Sequence, residues 1–277
     1  MHYKQLLFTT ALLTAMQASA QITVNVNTAQ KGHEVSPDLY GIFYEDINHA
    51  ADGGLYAELV RNRSFEDDQK KAENWSAVGQ SSLQLVGKGL LNAKQHQALQ
   101  VTFRQAGDGV SNEGYWGIPV VQGRRYRLSF WAKGKLKGQL RGVLTDASGK
   151  KEFASATFAG KSFGNKWTRY EAELVANGND GKGQLRLLAG GKGQLTFDVV
   201  SLFPPTFRNR ENGLRPELAG MLYALHPKFL RFPGGCFVEG QESPDNAFRW
   251  ERTIGPVEQR EGHWNVNWGY RTTDGLG

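Results

Sequence analysis

Cysteine is all but missing from this sequence. The 277 residues contain one, Cys236, so no disulfide can close within the chain in any redox compartment. Cysteines and histidines do not recur at the spacings that hold zinc. Beyond residue 20 no apolar run approaches the length of a membrane span. Charge of one sign is not gathered into blocks either. The net charge is +6, yet lysine and arginine are scattered among strand and turn patterns, with no basic helix to lay along nucleic acid. Zinc modules, membrane-spanning chains and nucleic-acid binders are therefore poor descriptions of it.

What is abundant is glycine, at 34 residues, and tryptophan, at seven, in a length that suits about two domains. The chain opens with Lys4, an apolar run from Leu6 to Met16, and Ala18-Ser19-Ala20. That order predicts a signal peptide over 1–20, a mature chain from Gln21, and a secreted or periplasmic location. Ile22-Thr-Val-Asn-Val-Asn27 then alternates strictly, which predicts a half-buried strand.

Leu39, Tyr40, Ile42, Phe43 and Tyr44 form an apolar run broken only by Gly41. Such a run predicts a strand buried on both faces, as in a parallel sheet. Glu45 and Asp46 close it, before the turn-rich His49-Ala-Ala-Asp-Gly-Gly54. Two readings stand for this acidic pair: solvated strand-end charges, or ligand-facing groups at the C-terminal mouth of a barrel strand. A short helix is expected to start within Leu55–Val60.

From 66 to 205 the texture changes. Leu83–Val86, Leu99–Phe103, Tyr126–Trp131, Phe153–Phe158, Trp167–Val175, Leu185–Leu188 and Leu195–Phe203 alternate, with glycine-rich turns between them. They predict a β-sandwich or jelly roll. Tyr126, Leu128 and Phe130 share its inner face, which places Trp131 on the polar face. Trp131 there either stacks on a sugar or packs under a loop or a neighbouring domain. Tyr115 and Trp116 are weaker candidates for the same role.

From 206 to 277 the first texture returns. Leu214, Leu218, Met221, Leu222 and Leu225 recur at helical spacing, with Pro216 in the first turn and Pro227 after the end. The strand Phe229–Phe232 follows, delivers Arg231, and runs into Pro233-Gly-Gly-Cys236. Strand, helix and strand make one βα unit, with the sandwich spliced into its first connection.

The stretches GIFYEDINHAADGGLYAELVRNRSFE, from Gly41 to Glu66, and FLRFPGGCFVEG, from Phe229 to Gly240, resemble the α-L-arabinofuranosidases of glycoside hydrolase family 51. IGPVEQR, followed by a tryptophan and TTDGLG, extends the likeness. The middle segment resembles carbohydrate-binding jelly rolls. The resemblance implies an α/β plus all-β protein. Its parts are an incomplete (β/α)8 barrel represented by its first two strands, over 21–65 and 206–277, and an inserted jelly roll over 66–205.

The resemblance also implies a retaining enzyme acting on plant cell-wall polysaccharide or arabino-oligosaccharide, with no cofactor for catalysis. Glu45, Arg231, Cys236 and Trp268 would line the arabinose pocket. Cys236 stands where many relatives have asparagine. Read without the likeness, Arg231 fits a structural salt bridge, Cys236 a nucleophile or a buried structural thiol, and Trp268 a loop anchor. The Asn62-x-x-x-Glu66 start and the acid before Val-Ser-Leu, Asp198, resemble a structural calcium pair. Retaining glycosidases need two carboxyl groups about 5 to 5.5 Å apart. Family members carry these on the fourth and seventh barrel strands. Glu45 matches a substrate-binding glutamate, and Glu239, Glu242, Glu251 and Glu258 are loop acids outside the family's catalytic positions. The chain is thus expected to be an inactive fragment of a glycosidase. An endo-β-glucanase and a non-catalytic carbohydrate-binding protein are the alternatives.

Overall fold

In the computed structural model, residues 22–240 and 243–272 are described. The expected signal peptide, Glu242 and the end of the TTDGLG tail lie outside them. Residues 22–39 belong to a unit of their own. Within it Ile22, Val24 and Val26 are exposed, and 22–27 is not a strand. Alternation makes a strand only against a pairing edge, and among the described residues this segment has no ladder.

The second unit, from Tyr40 onward, is built on two textures. The first is a parallel pair, β1 (Ile42–Phe43) and β13 (Leu230–Arg231), with Ile42 opposite Leu230 and Phe43 opposite Arg231. Main-chain bonds extend the pair: Tyr44 N–H donates to the Arg231 carbonyl at 2.8 Å and Asp46 N–H to that of Pro233 at 3.2 Å. The pair is not buried on both faces. Tyr40 is 67% and Phe43 54% exposed, because two strands alone leave their faces open. The expected helix within Leu55–Val60 is absent too. A single wide turn at Ala51–Leu55 precedes it, and Tyr56–Val60 run buried toward the sandwich. Helix α1 (Pro216–Ala224) forms as read, with proline at its N-terminus. Its apolar stripe and the strand pair flank a hollow of about 640 Å³ lined by Tyr44, Tyr56, Leu222, Leu230 and Phe232.

The second texture is a two-sheet sandwich. One sheet runs in the order β10 (Thr168–Val175), β7 (Arg125–Leu136), β12 (Gly193–Phe203), β4 (Ala98–Phe103), β3 (Ser82–Val86). The other runs β2 (Trp75–Val78), β5 (Gly109–Asn112), β11 (Asp180–Ala189), β8 (Gln139–Thr145), β9 (Glu152–Ala159), with β6 (Ile118–Val120) beside β11. All its ladders are antiparallel. Period-2 patterning produces the core: Tyr126, Leu128, Phe130 and Ala132 of β7 are all fully buried. Phe130 stacks on Tyr170 at 5.4 Å and meets Phe158 and Phe197 edge-on. Truncating such a side chain costs about 3–5 kcal/mol. Leu59, Val60 and Phe65 belong to this core, so it draws on chain upstream of residue 66.

A buried ion pair closes the insertion where the chain leaves and returns. Arg63 Nη1 lies 3.0 Å from Glu58 Oε2, and neither side chain is exposed. Glu58 also accepts from Ser201 Oγ at 2.5 Å and from the N–H groups of Leu202 and Val60, each at 2.9 Å. A second tie lies farther along. Asn92 and Gln95 both donate to the Glu258 carbonyl, at 2.7 and 2.8 Å, and Lys94 pairs with Glu261 at 2.6 Å.

Candidate active site

The parallel ladder brings two strand ends together. Glu45 follows β1 and is half-buried, and Arg231 ends β13. Gly234 lets the second strand turn under the first. Its φ is +145°, and a Cβ there would sit 2.6 Å from Glu45 Cγ, so a side chain would displace the carboxylate. The Arg231 guanidinium lies 4.6 Å from the Phe43 ring centroid. Among the described residues neither Glu45 nor Arg231 is in an ion pair. Cys236 opens the short helix α2 (Cys236–Glu239) and is exposed.

Asp46 behaves oppositely to its neighbour. It is fully buried and its Oδ1 accepts the Ala51 N–H at 3.1 Å. Loss of hydration pushes its carboxyl above the usual range, against the pull of that bond. Its carbonyl accepts from Asn265 Nδ2 and from the Tyr270 hydroxyl, each at 3.1 Å. Asn265 and Tyr270 sit on a hairpin, β14 (His263–Asn265) and β15 (Tyr270–Thr272). Asn265 Oδ1 accepts the Trp268 N–H at 3.3 Å, so one buried amide joins the Asp46 backbone to the turn carrying Trp268. Trp268 itself is 42% exposed.

His49 packs against the hairpin. Its ring lies 4.0 Å from that of Tyr270, and the main-chain N–H of His49 donates to the Tyr270 hydroxyl at 3.1 Å. Burial, helped by the Arg61 charge, lowers its pKa to about 4, so the ring is neutral near pH 7. Burial raises both Tyr44 and Tyr270, and the Asp46 charge adds to it. A half-buried carboxylate, a guanidinium without a counter-charge and a flat exposed indole can hold a polyhydroxylated ring.

The other expected residues lie elsewhere. Trp131 pairs with Arg169 and Asp198 across its sheet and faces a recess of about 370 Å³. Arg127, Arg169 and the loop Gly255–Glu258 share that recess, so Trp131 sits beside a loop from the barrel part. Glu66 spends its carboxylate on His96 and Gln97: Oε1 accepts the main-chain N–H groups of His96 at 2.6 Å and Gln97 at 3.2 Å, and Oε2 meets His96 Nδ1 at 3.1 Å. Asp198 is buried and accepts the Val199 N–H at 2.8 Å. Among the described residues no three His, Cys, Asp or Glu side chains gather into a metal-binding group. The residues that sequence reasoning passed over are His49, Asn265 and Tyr270. They meet Asp46 and each other only through the fold.

Two family models match this chain. A carbohydrate binding domain covers residues 57–193, and an α-L-arabinofuranosidase 1 domain covers 221–277. An extracellular exo-α-L-arabinofuranosidase of Streptomyces chartreusis is 40% identical over 92% of the chain, and α-L-arabinofuranosidase 1 of Arabidopsis thaliana 37% over 92%. The crystal structure of an arabinose-bound GH51 α-L-arabinofuranosidase superposes over 90% of the chain with a TM-score of 0.81 and 34% identity. Over nine-tenths of its length the chain is thus similar to α-L-arabinofuranosidases, the crystallised one of them from glycoside hydrolase family 51. It spans 32% and 40% of the length of the Streptomyces and Arabidopsis relatives, and 42% of the crystallised one. The sandwich thus matches a carbohydrate binding domain and lies in the chain between β1 and the helix α1.

Proposed function

We propose that this chain forms the first two strands of a (β/α)8 barrel, with its insert, in a retaining α-L-arabinofuranosidase. The enzyme releases terminal arabinofuranosyl groups from arabinoxylan or arabinan. Glu45, Arg231, Cys236 and Trp268 bind the departing sugar. The observation that carries this reading is the parallel register that sets Glu45 beside the Arg231–Gly235 turn. The apolar hollow under β1, β13 and α1 supports a continuing barrel, whose further strands would cover it. The names of the relatives favour arabinofuranosidase over endo-glucanase.

The acid/base and the nucleophile must face each other about 5 to 5.5 Å apart. In this reading they come from later barrel strands, so the chain by itself turns nothing over. Export by residues 1–20 fits the extracellular Streptomyces relative. Among the described residues no helix is long and apolar enough to cross a membrane. The test is hydrolysis of an aryl α-L-arabinofuranoside by the full-length enzyme, followed by NMR of the first-formed anomer. Release with retained configuration is expected, and none from residues 21–277 alone. Inversion, or turnover by the chain alone, would refute the proposal.

A further inference from the structure

The insert reaches the rim of the strand-end site. Its loop between β5 and β6 carries Tyr115 and Trp116, whose rings lie 5.3 and 6.1 Å from that of His49. His49 lies against Tyr270, whose hydroxyl donates to the carbonyl of Asp46, the residue after Glu45. Tyr115 is seated firmly. Its hydroxyl is buried, and Gly53 at φ +85° passes so close that a Cβ would meet the ring at 2.4 Å. Trp116 is held differently. Lys182 Nζ donates to its carbonyl at 3.0 Å, which fixes the main chain, while 59% of the residue stays exposed. The insert as a whole is anchored by the Glu58–Arg63 pair and by the bonds to Glu258. A large flat side chain is thus displayed at a fixed place on the rim, with a face still open to solvent.

We propose that Trp116 is a platform for the leaving side of the substrate. The ligand class is a neutral pyranose backbone bearing the arabinofuranosyl branch, with the apolar C–H face of one backbone ring lying on the indole. One wall of the active site then comes from the insert, and the insert sets which branched polysaccharides fit. This rests on the reading that the Glu45 rim holds the arabinofuranosyl group, and the experiment separates the two.

The full-length enzyme is assayed with methyl α-L-arabinofuranoside, whose one-carbon leaving group cannot reach the indole, and with an arabinosylated xylo-oligosaccharide. Trp116→Ala should lower kcat/KM for the oligosaccharide by about 3- to 10-fold and that for the methyl glycoside by less than about 2-fold. Trp116→Phe should recover most of the loss. The ratio of the two substrates cancels any loss of folded protein. Equal losses on both substrates, or no loss on the oligosaccharide, would overturn the platform. Absence of turnover of either substrate by the unmutated enzyme would instead overturn the reading beneath it, and the platform with it.

Discussion

Arg63→Met should be among the most damaging single changes in the sandwich. Both Arg63 and Glu58 are fully buried, 3.0 Å apart. With methionine at 63 the Glu58 carboxylate keeps Ser201 and the Val60 and Leu202 N–H groups but loses its counter-charge. Breaking one side of a buried pair costs about 3–5 kcal/mol. At roughly 2–4 °C per kcal/mol for a unit of this size, the melting temperature should fall by about 6–20 °C. Adding Glu58→Gln removes the stranded charge and keeps an acceptor for the two N–H groups. The double variant should then recover at least about 2 kcal/mol over the sum of the single losses. Urea melts followed by tryptophan fluorescence, with an unchanged m-value, measure all four proteins. A loss under about 1 kcal/mol for Arg63→Met, or strict additivity, would refute the claim that this pair closes the insert.

Acid should weaken the His49 cluster. The folded-state pKa of about 4 lies below the ordinary 6.5, so the unfolded chain binds the extra proton first and stability falls as pH drops from about 6.5 toward 4. Asp46, raised by burial, works in the opposite sense. Comparison with His49→Phe therefore isolates the histidine, and the wild type should lose about 1 kcal/mol more than the variant between pH 7 and 5, after solvent screening. Equal pH slopes would remove it. A structural calcium on Glu66 and Asp198 remains a proposal from the sequence. It requires a lower melting temperature in chelator, reversed by added calcium, and no shift in either direction rejects it.

The sandwich was legible where its strands are long and one-sided. The alternation of β7, β9 and β10 marks their inner faces directly, whereas β12 is buried at its last nine positions and was read from its run of strand-forming residues. β2, β5, β6 and β8 were not legible. β5 is buried at all four positions and β8 at its last four, so the period-2 signal vanishes, and β6 carries Pro119. The βα unit was read correctly in order and direction but not in burial, because burial depends on neighbours that a strand's own residues do not describe. Glu45, Arg231, Cys236 and Trp268 were named through family likeness. The ties that place them were hidden, since Asn265 and Tyr270 reach Asp46 across 219 and 224 residues of chain. Nothing in the local pattern around His49 shows that its ring will meet a loop of the insert.

The role of Glu45 decides the account. In the full-length enzyme, Glu45→Gln should lower kcat/KM by roughly 10- to 200-fold, the equivalent of losing a charged hydrogen bond of about 1.5 to 3 kcal/mol to sugar hydroxyls. The loss should be about the same for aryl arabinofuranosides with good and with poor leaving groups, and external azide should not restore activity. If activated substrates were instead cleaved at near wild-type rates while poor leaving groups failed, Glu45 would be the general acid. The first strand would then carry the chemistry rather than the grip on the sugar.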